Sequence, residues 1–232
     1  MDDVAYIKCG NIRDSVYAIK KDKTLWRWGN GIYAPEKIAD DTVNVWQVLV
    51  SWNFSDSVYD VYYLTSDGKL FKAGTDKPIL YNVKDALLNN YSLVKNEYYN
   101  YDYIVFSDNT LLRFARGTYT EGEKILENVN RIFDFSSRCY AILENGECWG
   151  WGSNEHSRLG DGTVIDRAEP VFIMNNVEFI LLDKEAAAIE CRSVWGGYET
   201  VFYLNDGTAL RTSPDGVLQT TTYLNLVAGE KN

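Results

Sequence analysis

Five times along the chain an apolar run enters a short polar turn and leaves as a second apolar run. Aligned on the turn, the copies are Ala18–Gly29, Tyr63–Gly74, Ile104–Ala115, Ala141–Gly152 and Phe202–Ser213. Four of the turns hold an Asp or Asn followed by Gly or Asn: Asp67-Gly68, Asp108-Asn109, Asn145-Gly146 and Asp206-Gly207. Such pairs suit a two-residue hairpin, because both central residues then need positive φ. Asp22-Lys23 is the poor member, since Lys enters that region reluctantly. The starts at 18, 63, 104, 141 and 202 give steps of 45, 41, 37 and 61. A hairpin recurring at this period predicts four-stranded propeller blades, successive sectors of a ring. The fold class is thus all-β, a propeller of five blades, in one domain over 1–232.

Each hairpin supplies strands B and C of a blade. Apolar runs before it predict strand A at Val4–Cys9, Val45–Val50, Leu87–Val94 and Val129–Phe135. Strand D is expected at Pro35–Ile38, Pro78–Val83, Lys124–Leu126, Pro170–Met174 and Leu218–Leu226. Proline at the start of an outermost strand loses no ladder bond there. The long step before the fifth copy contains Ser153–Glu169 and Val177–Cys191, the latter readable as a helical turn or an additional hairpin. The Trp26/Trp28 and Trp149/Trp151 pairs alternate within strand C and read as core, because both faces of a blade pack on neighbours.

The stretch Trp149-Gly150-Trp151-Gly152-Ser153-Asn154, with Leu159-Gly160 and Pro170-Val171 downstream, resembles the repeat of the regulator of chromosome condensation family. The resemblance is specific in the fourth copy and faint elsewhere. It implies a β-propeller, best known with seven blades, so this chain is expected to be a smaller ring or to hide a degenerate blade in 177–191. It also implies partner binding through one face. Nucleotide exchange on a small GTPase, an activity within the family, is disfavoured because no inserted wedge or basic tail is evident.

Composition narrows the chemistry. The formal charge of −10 repels phosphate backbones, so nucleic acid is excluded as the expected partner and a basic protein surface is favoured. No apolar run reaches the roughly 18 residues needed to span a membrane, and the start lacks a signal-peptide pattern. The expected location is the cytoplasm, with thiols reduced and the chain monomeric. Cys9, Cys139, Cys148 and Cys191 form no Cys-x-x-Cys pair, and one histidine cannot build a multi-histidine metal centre. No metal or cofactor is therefore expected. His156 reads as a solvated loop imidazole, and the protein as no enzyme.

In an up-and-down blade, the A–B and C–D connections emerge at one end and the tight B–C turns at the other. The A–B connections are rich in rings and carboxylates: Trp52, Phe54, Tyr59, Tyr98, Tyr99, Tyr101, Trp195 and Tyr198, with Asp56, Asp60, Glu97, Asp102 and Glu199. Rigid aromatics among acidic groups predict a protein-binding surface. The function expected is non-catalytic engagement of a protein partner, in one version as an inhibitor or immunity-type protein against a basic toxin or enzyme. The alternative is a lectin-like propeller, with rings stacking on sugars.

Overall fold

The computed structural model describes residues 2–9, 16–29, 31–51, 58–88, 101–135, 138–182, 200–213 and 216–221. The only helical element among them is a single 3-10 turn, Glu155–Ser157; all others are strands. No helix among the described residues is long and apolar enough to cross a membrane.

Among the described residues, nineteen strands form five antiparallel sheets in chain order. The first sheet is β1 (Val4–Cys9), β2 (Val16–Lys20), β3 (Leu25–Gly29) and β4 (Ile32–Ala39). The second is β5 (Thr42–Ser51), β6 (Val58–Thr65) and β7 (Leu70–Lys72), its fourth strand reduced to one bridge, Leu70 with Leu80. The third is β8 (Val83–Leu87), β9 (Tyr101–Phe106), β10 (Leu111–Ala115) and β11 (Glu123–Leu126). The fourth is β12 (Val129–Phe135), β13 (Arg138–Leu143), β14 (Cys148–Gly152) and β15 (Arg167–Met174). The fifth is β16 (Val177–Leu182), β17 (Thr200–Leu204), β18 (Ala209–Arg211) and β19 (Gln219–Thr221). These are the five blades read from the repeat, one of them with three strands. Two compact units are distinguished, Met1–Ser107 with Leu112–Glu123, and Asp108–Leu111 with Lys124–Asn232.

One strand A placement is corrected and the missing one is supplied. The third blade opens at Val83, not Leu87, and Val177–Leu182 is strand A of the fifth blade; residues 183–191, the rest of the segment readable as a helical turn or an additional hairpin, lie outside the described residues. Both follow from a pattern the hairpins conceal. Asp3-Val4, Asp41-Thr42, Asn82-Val83, Asn128-Val129 and Asn176-Val177 each place an Asp or Asn at φ of 54–62° just before strand A. These are the non-glycine residues that best tolerate the left-handed region. Every A–B ladder then carries a bulge two residues in, at Val4/Tyr6, Thr42/Asn44, Val83/Asp85, Val129/Arg131 and Val177/Phe179.

The B–C turns also differ from the two-residue type. Gly146 N–H donates to Leu143 O and Leu143 N–H to Glu147 O, and only the third loop residue has positive φ, at 82°. This is a three-residue loop closed by a glycine bulge. The Asp or Asn before it is chosen for hydrogen bonding, not for φ. Asp22, Asp108, Asn145 and Asp206 each accept, through Oδ1, the N–H two residues on.

Within each unit these features join neighbouring blades by backbone bonds. Thr42, Val83, Val129 and Val177 donate to the turn carbonyls of Lys23, Gly68, Asn109 and Gly146 in the preceding hairpin. Within its own blade each hairpin also holds the residue before strand A: Ser66, Ser107, Glu144 and Asn205 donate to the carbonyls of Asp41, Asn82, Asn128 and Asn176. Apolar packing follows the same line. In the first unit Tyr17, Ile19 and Leu25 close on Val45, and Tyr62, Leu64 and Leu70 on Val83 and Ala86. In the second, Tyr140, Ile142 and Cys148 close on Val177 and Ile180. Of the strand C tryptophans, Trp151 is core at 2 % exposure, whereas Trp26, Trp28 and Trp149 are half-buried.

Candidate protein-binding face

Strand B of each blade begins where the A–B connection ends, so its first residues stand beside that loop. In the second blade these are Tyr59 and Asp60 of β6; in the third, Tyr101 and Asp102 of β9. The Asp60 carboxylate accepts from Lys72 Nζ at 2.7 Å and, more distantly, from the Tyr62 hydroxyl at 3.4 Å. Asp102 accepts from the Tyr119 hydroxyl at 2.9 Å and the Gly117 N–H at 3.1 Å. The Tyr62 and Tyr119 rings meet edge to face, 6.3 Å apart. Burial pushes the Tyr62 phenol up to about 12, with the Asp60 and Asp102 carboxylates adding to the effect. Tyr119 is pushed well above the ordinary phenol range for the same reasons, burial first.

Asp102 is 1 % exposed, so its reading as a charge offered to a partner is corrected. Its carboxylate instead ties the connection after β10 to the root of strand B. Asp60 stays partly open, at 21 % side-chain exposure, but is committed to Lys72. Tyr101 is half-buried, with the Arg113 guanidinium 5.0 Å from its ring centre. The side chain of Tyr59 is outside the description, and Trp52, Phe54, Asp56, Glu97, Tyr98, Tyr99, Trp195, Tyr198 and Glu199 lie outside the described residues.

The fourth blade presents the corresponding end through its C–D connection, 153–166, which the aromatic reading passed over. Asn154 is fully buried and organises it. Its Nδ2 donates to Asp161 Oδ1 at 2.7 Å and to Thr163 O at 3.0 Å, while its Oδ1 accepts the Leu159 N–H at 2.9 Å. Asp161 also receives Arg167, through Nε at 2.7 Å. Burial works to raise the Asp161 carboxyl, but hydrogen bonds from Thr163, Arg167 and Asn154 outweigh it and hold the group below its usual value. Tyr140 locks the loop from beneath, donating to Arg158 O at 3.0 Å and lying 3.2 Å from Thr200 Oγ1 of the next blade. Gly150 allows this approach, since a Cβ there would stand 3.0 Å from both Tyr140 and Leu159.

On this held loop Val164 and Ile165 are 66 % and 59 % exposed. Val217, in the C–D connection of the fifth blade, is 59 % exposed, and that connection packs on 157–162, where a Cβ on Gly216 would stand 3.3 Å from Ser157 Oγ. His156 is exposed at the loop surface, its nearest carboxylate Glu155 at 3.6 Å. The buried Cys148 thiol is pushed far above its ordinary range by burial, the reverse of what a nucleophile needs.

A sequence signal for the framework existed in the tyrosine that precedes four of the five copies, Tyr17, Tyr62, Tyr103 and Tyr140, each at most 6 % exposed. The Asn154, Asp161 and Arg167 set leaves no periodic trace, because one loop alone holds it.

Residues 145–191 match the family model of the Regulator of chromosome condensation (RCC1) repeat. No curated protein matches the sequence. Among solved structures, human WBSCR16 is similar at 17 % identity and a TM-score of 0.53, covering 78 % of this chain and 56 % of its own. BBS1N, in its complex with ARL6DN, is similar at 9 % identity and a TM-score of 0.57, covering 96 % and 67 %. Yeast RCC1 (Prp20), bound to Kap60, reaches 13 % identity and a TM-score of 0.49, covering 90 % and 56 %. The chain thus spans little more than half the length of WBSCR16 and RCC1. The fold is a β-propeller, and the resemblance read in the fourth blade is borne out by the matched RCC1 repeat over residues 145–191.

Proposed function

We propose that this chain is a non-catalytic binding propeller that engages a protein partner through the A–B and C–D ends of its blades. The observation that carries the reading is the fourth-blade connection, where a buried Asn154, Asp161 and Arg167 network fixes a loop whose tip exposes Val164 and Ile165. An apolar pair held rigidly in water is what a pre-organised contact requires, because little conformational freedom is lost on binding. The half-open ring of Tyr101 and the aromatic A–B segments add amphipathic contact area of the same kind. The complex of BBS1N with ARL6DN shows that a propeller of similar fold can serve as a partner in a protein complex.

The net charge of −10 favours a partner with a basic surface and speeds their encounter. It is also what supports the finer version, an inhibitor or immunity-type protein neutralising a basic toxin or enzyme. The test is affinity capture with the wild-type chain, repeated with Val164→Ser/Ile165→Ser and with Trp52→Ala, Tyr99→Ala and Trp195→Ala. The reading expects the same partner to be lost from both variants. Recovery unchanged in both would remove the assignment.

A further inference from the structure

Four of the B–C turns hold a carboxylate at one shared position, with a neighbour that stabilises the charge. Asp22 is held below the usual carboxyl value by the Thr24 hydroxyl and N–H, and Asp67 by Lys69 and the Thr65 hydroxyl. Asp108 and Asp206 are held there by the N–H and hydroxyl of Thr110 and Thr208. In the fourth turn the residue two on is Glu147 and Glu144 precedes, so an acid would complete a row of like charges. The neutral Asn145 takes the place, its Oδ1 accepting the Glu147 N–H at 3.0 Å. An asparagine before a glycine carries its own chemistry, because no Cβ shields the Gly146 nitrogen from Asn145 Cγ. The folded turn blocks that attack twice. Gly146 N–H donates to Leu143 O at 2.9 Å, which keeps the proton on the nitrogen, and the bond from Glu147 holds the carboxamide on the N–H beyond Gly146. The turn is also a joint. Gly146 O accepts the Val177 N–H at 3.0 Å, a Cβ on Gly146 would stand 3.4 Å from Asn176 Cα, and Val177 and Ile180 are each 1 % exposed.

We infer that Asn145-Gly146 is a deamidation site that the closed fourth hairpin protects, and whose isoaspartyl product unties strand A of the fifth blade from that hairpin. Opening of the turn frees both groups. The Gly146 nitrogen, giving up its proton, bonds to Asn145 Cγ, and the Cγ–Nδ2 bond breaks with release of ammonia, which carries that proton away. Water, which reaches the exposed Asn145, then opens the cyclic imide at one of its two carbonyls. Breaking the new bond leaves an aspartate with the chain restored. Breaking the original peptide bond leaves an isoaspartate, whose main chain runs through Cγ and is one methylene longer. Aspartate keeps an oxygen for the Glu147 N–H, as the sister turns do. Isoaspartate displaces Gly146, and its carbonyl no longer meets the Val177 N–H. The site therefore records that the hairpin has opened, in a form that refolding does not erase. It lies at the turn end of the blades and stands apart from the proposed function.

The full-length protein is held in mildly alkaline buffer, native or unfolded in urea. Peptide mapping by mass spectrometry follows Asn145 apart from Asn30, the other asparagine that a glycine follows. Conversion at Asn145 is expected to be slower by about tenfold or more in the native chain, because only open molecules react. The aged chains are then refolded, and hydrogen exchange of the Val177 amide is measured in the isoaspartyl fraction. That amide should exchange faster by about tenfold or more than before ageing. Asn145→Ser, whose hydroxyl can take the Glu147 N–H but which has no amide to lose, should refold and keep its unaged rate through the same treatment. Asn145→Asp, the other product without the longer main chain, should protect Val177 to within about threefold of wild type. The inference is overturned if Asn145 converts equally fast in native and unfolded chains, or if isoaspartate leaves Val177 as protected as before. It is equally overturned if aged Asn145→Ser or unaged Asn145→Asp loosens, or fails to refold, as much as the isoaspartyl chain.

Discussion

Replacing Asn154 tests whether one buried amide holds the exposed tip of the fourth blade. Asn154→Ala removes the donors to Asp161 Oδ1 and Thr163 O and the acceptor of the Leu159 N–H. Asp161 retains Arg167 and Thr163, so those two losses cost about 0.5–1.5 kcal/mol each. Leu159 is fully buried, and its N–H left without an acceptor costs about 1–3 kcal/mol. Because the three bonds share one network they do not simply add, and a loss of about 2–4 kcal/mol is expected. Asn154→Asp separates the contributions. It keeps the acceptor for Leu159 but sets a carboxylate oxygen where Nδ2 lay 2.7 Å from Asp161 Oδ1. Like charges at that distance raise the proton affinity of the introduced carboxyl above its unfolded value. Its penalty should therefore be largest at pH 7 and shrink towards pH 5, as the folded state takes up the proton that restores a donor. Urea unfolding followed by intrinsic tryptophan fluorescence measures both variants. A cost below about 0.5 kcal/mol for Asn154→Ala, or a pH-independent penalty for Asn154→Asp, would refute the reasoning.

Two further outcomes follow from backbone geometry and burial. Lys23 sits at φ of 64° in a turn position that Gly68, Gly146 and Gly207 fill elsewhere, so Lys23→Gly should stabilise by about 0.5–1 kcal/mol after the glycine's extra unfolded-state entropy. That corresponds to a rise in Tm of roughly 1–4 °C by calorimetry for a chain of this size, and an unchanged or lower value would count against the strain. The Tyr62 phenol, raised from about 10 in the unfolded chain to about 12, holds its proton more tightly when folded. Its contribution is full below pH 10 and lost as pH climbs towards 12, so wild type should lose more stability over that interval than Tyr62→Phe; parallel curves would sink the assignment.

The B–C hairpins were legible because a turn is a local event. An Asx hydrogen bond and a glycine at positive φ involve only three or four neighbouring residues, and Asn145-Gly146 and Asp206-Gly207 declare both. The strand A starts were equally local, at Asn82-Val83, Asn128-Val129 and Asn176-Val177, yet went unread for blades three and five, where apolar content was followed instead. Their meaning is not local: each Asn turns the chain so that the N–H of the valine after it reaches a turn carbonyl of the preceding blade.

Side-chain fate belongs to the tertiary structure. Asp60 and Asp102 occupy comparable places at the roots of strands, and the sequence offers both as surface charges. Packing against Tyr119 and Gly117 buries one, and Lys72 claims the other. In the same way Ile180 is 1 % exposed because the hairpin bearing Tyr140, Ile142 and Cys148 lies across it, which its own sequence neighbours do not announce. The sequence by itself determined the repeat, its turns and hence the kind of fold, because these rest on backbone preferences spanning a few residues. Which repeated positions are core, linkage or open surface was decided by the tertiary structure alone, since burial is a property of what lies across the gap.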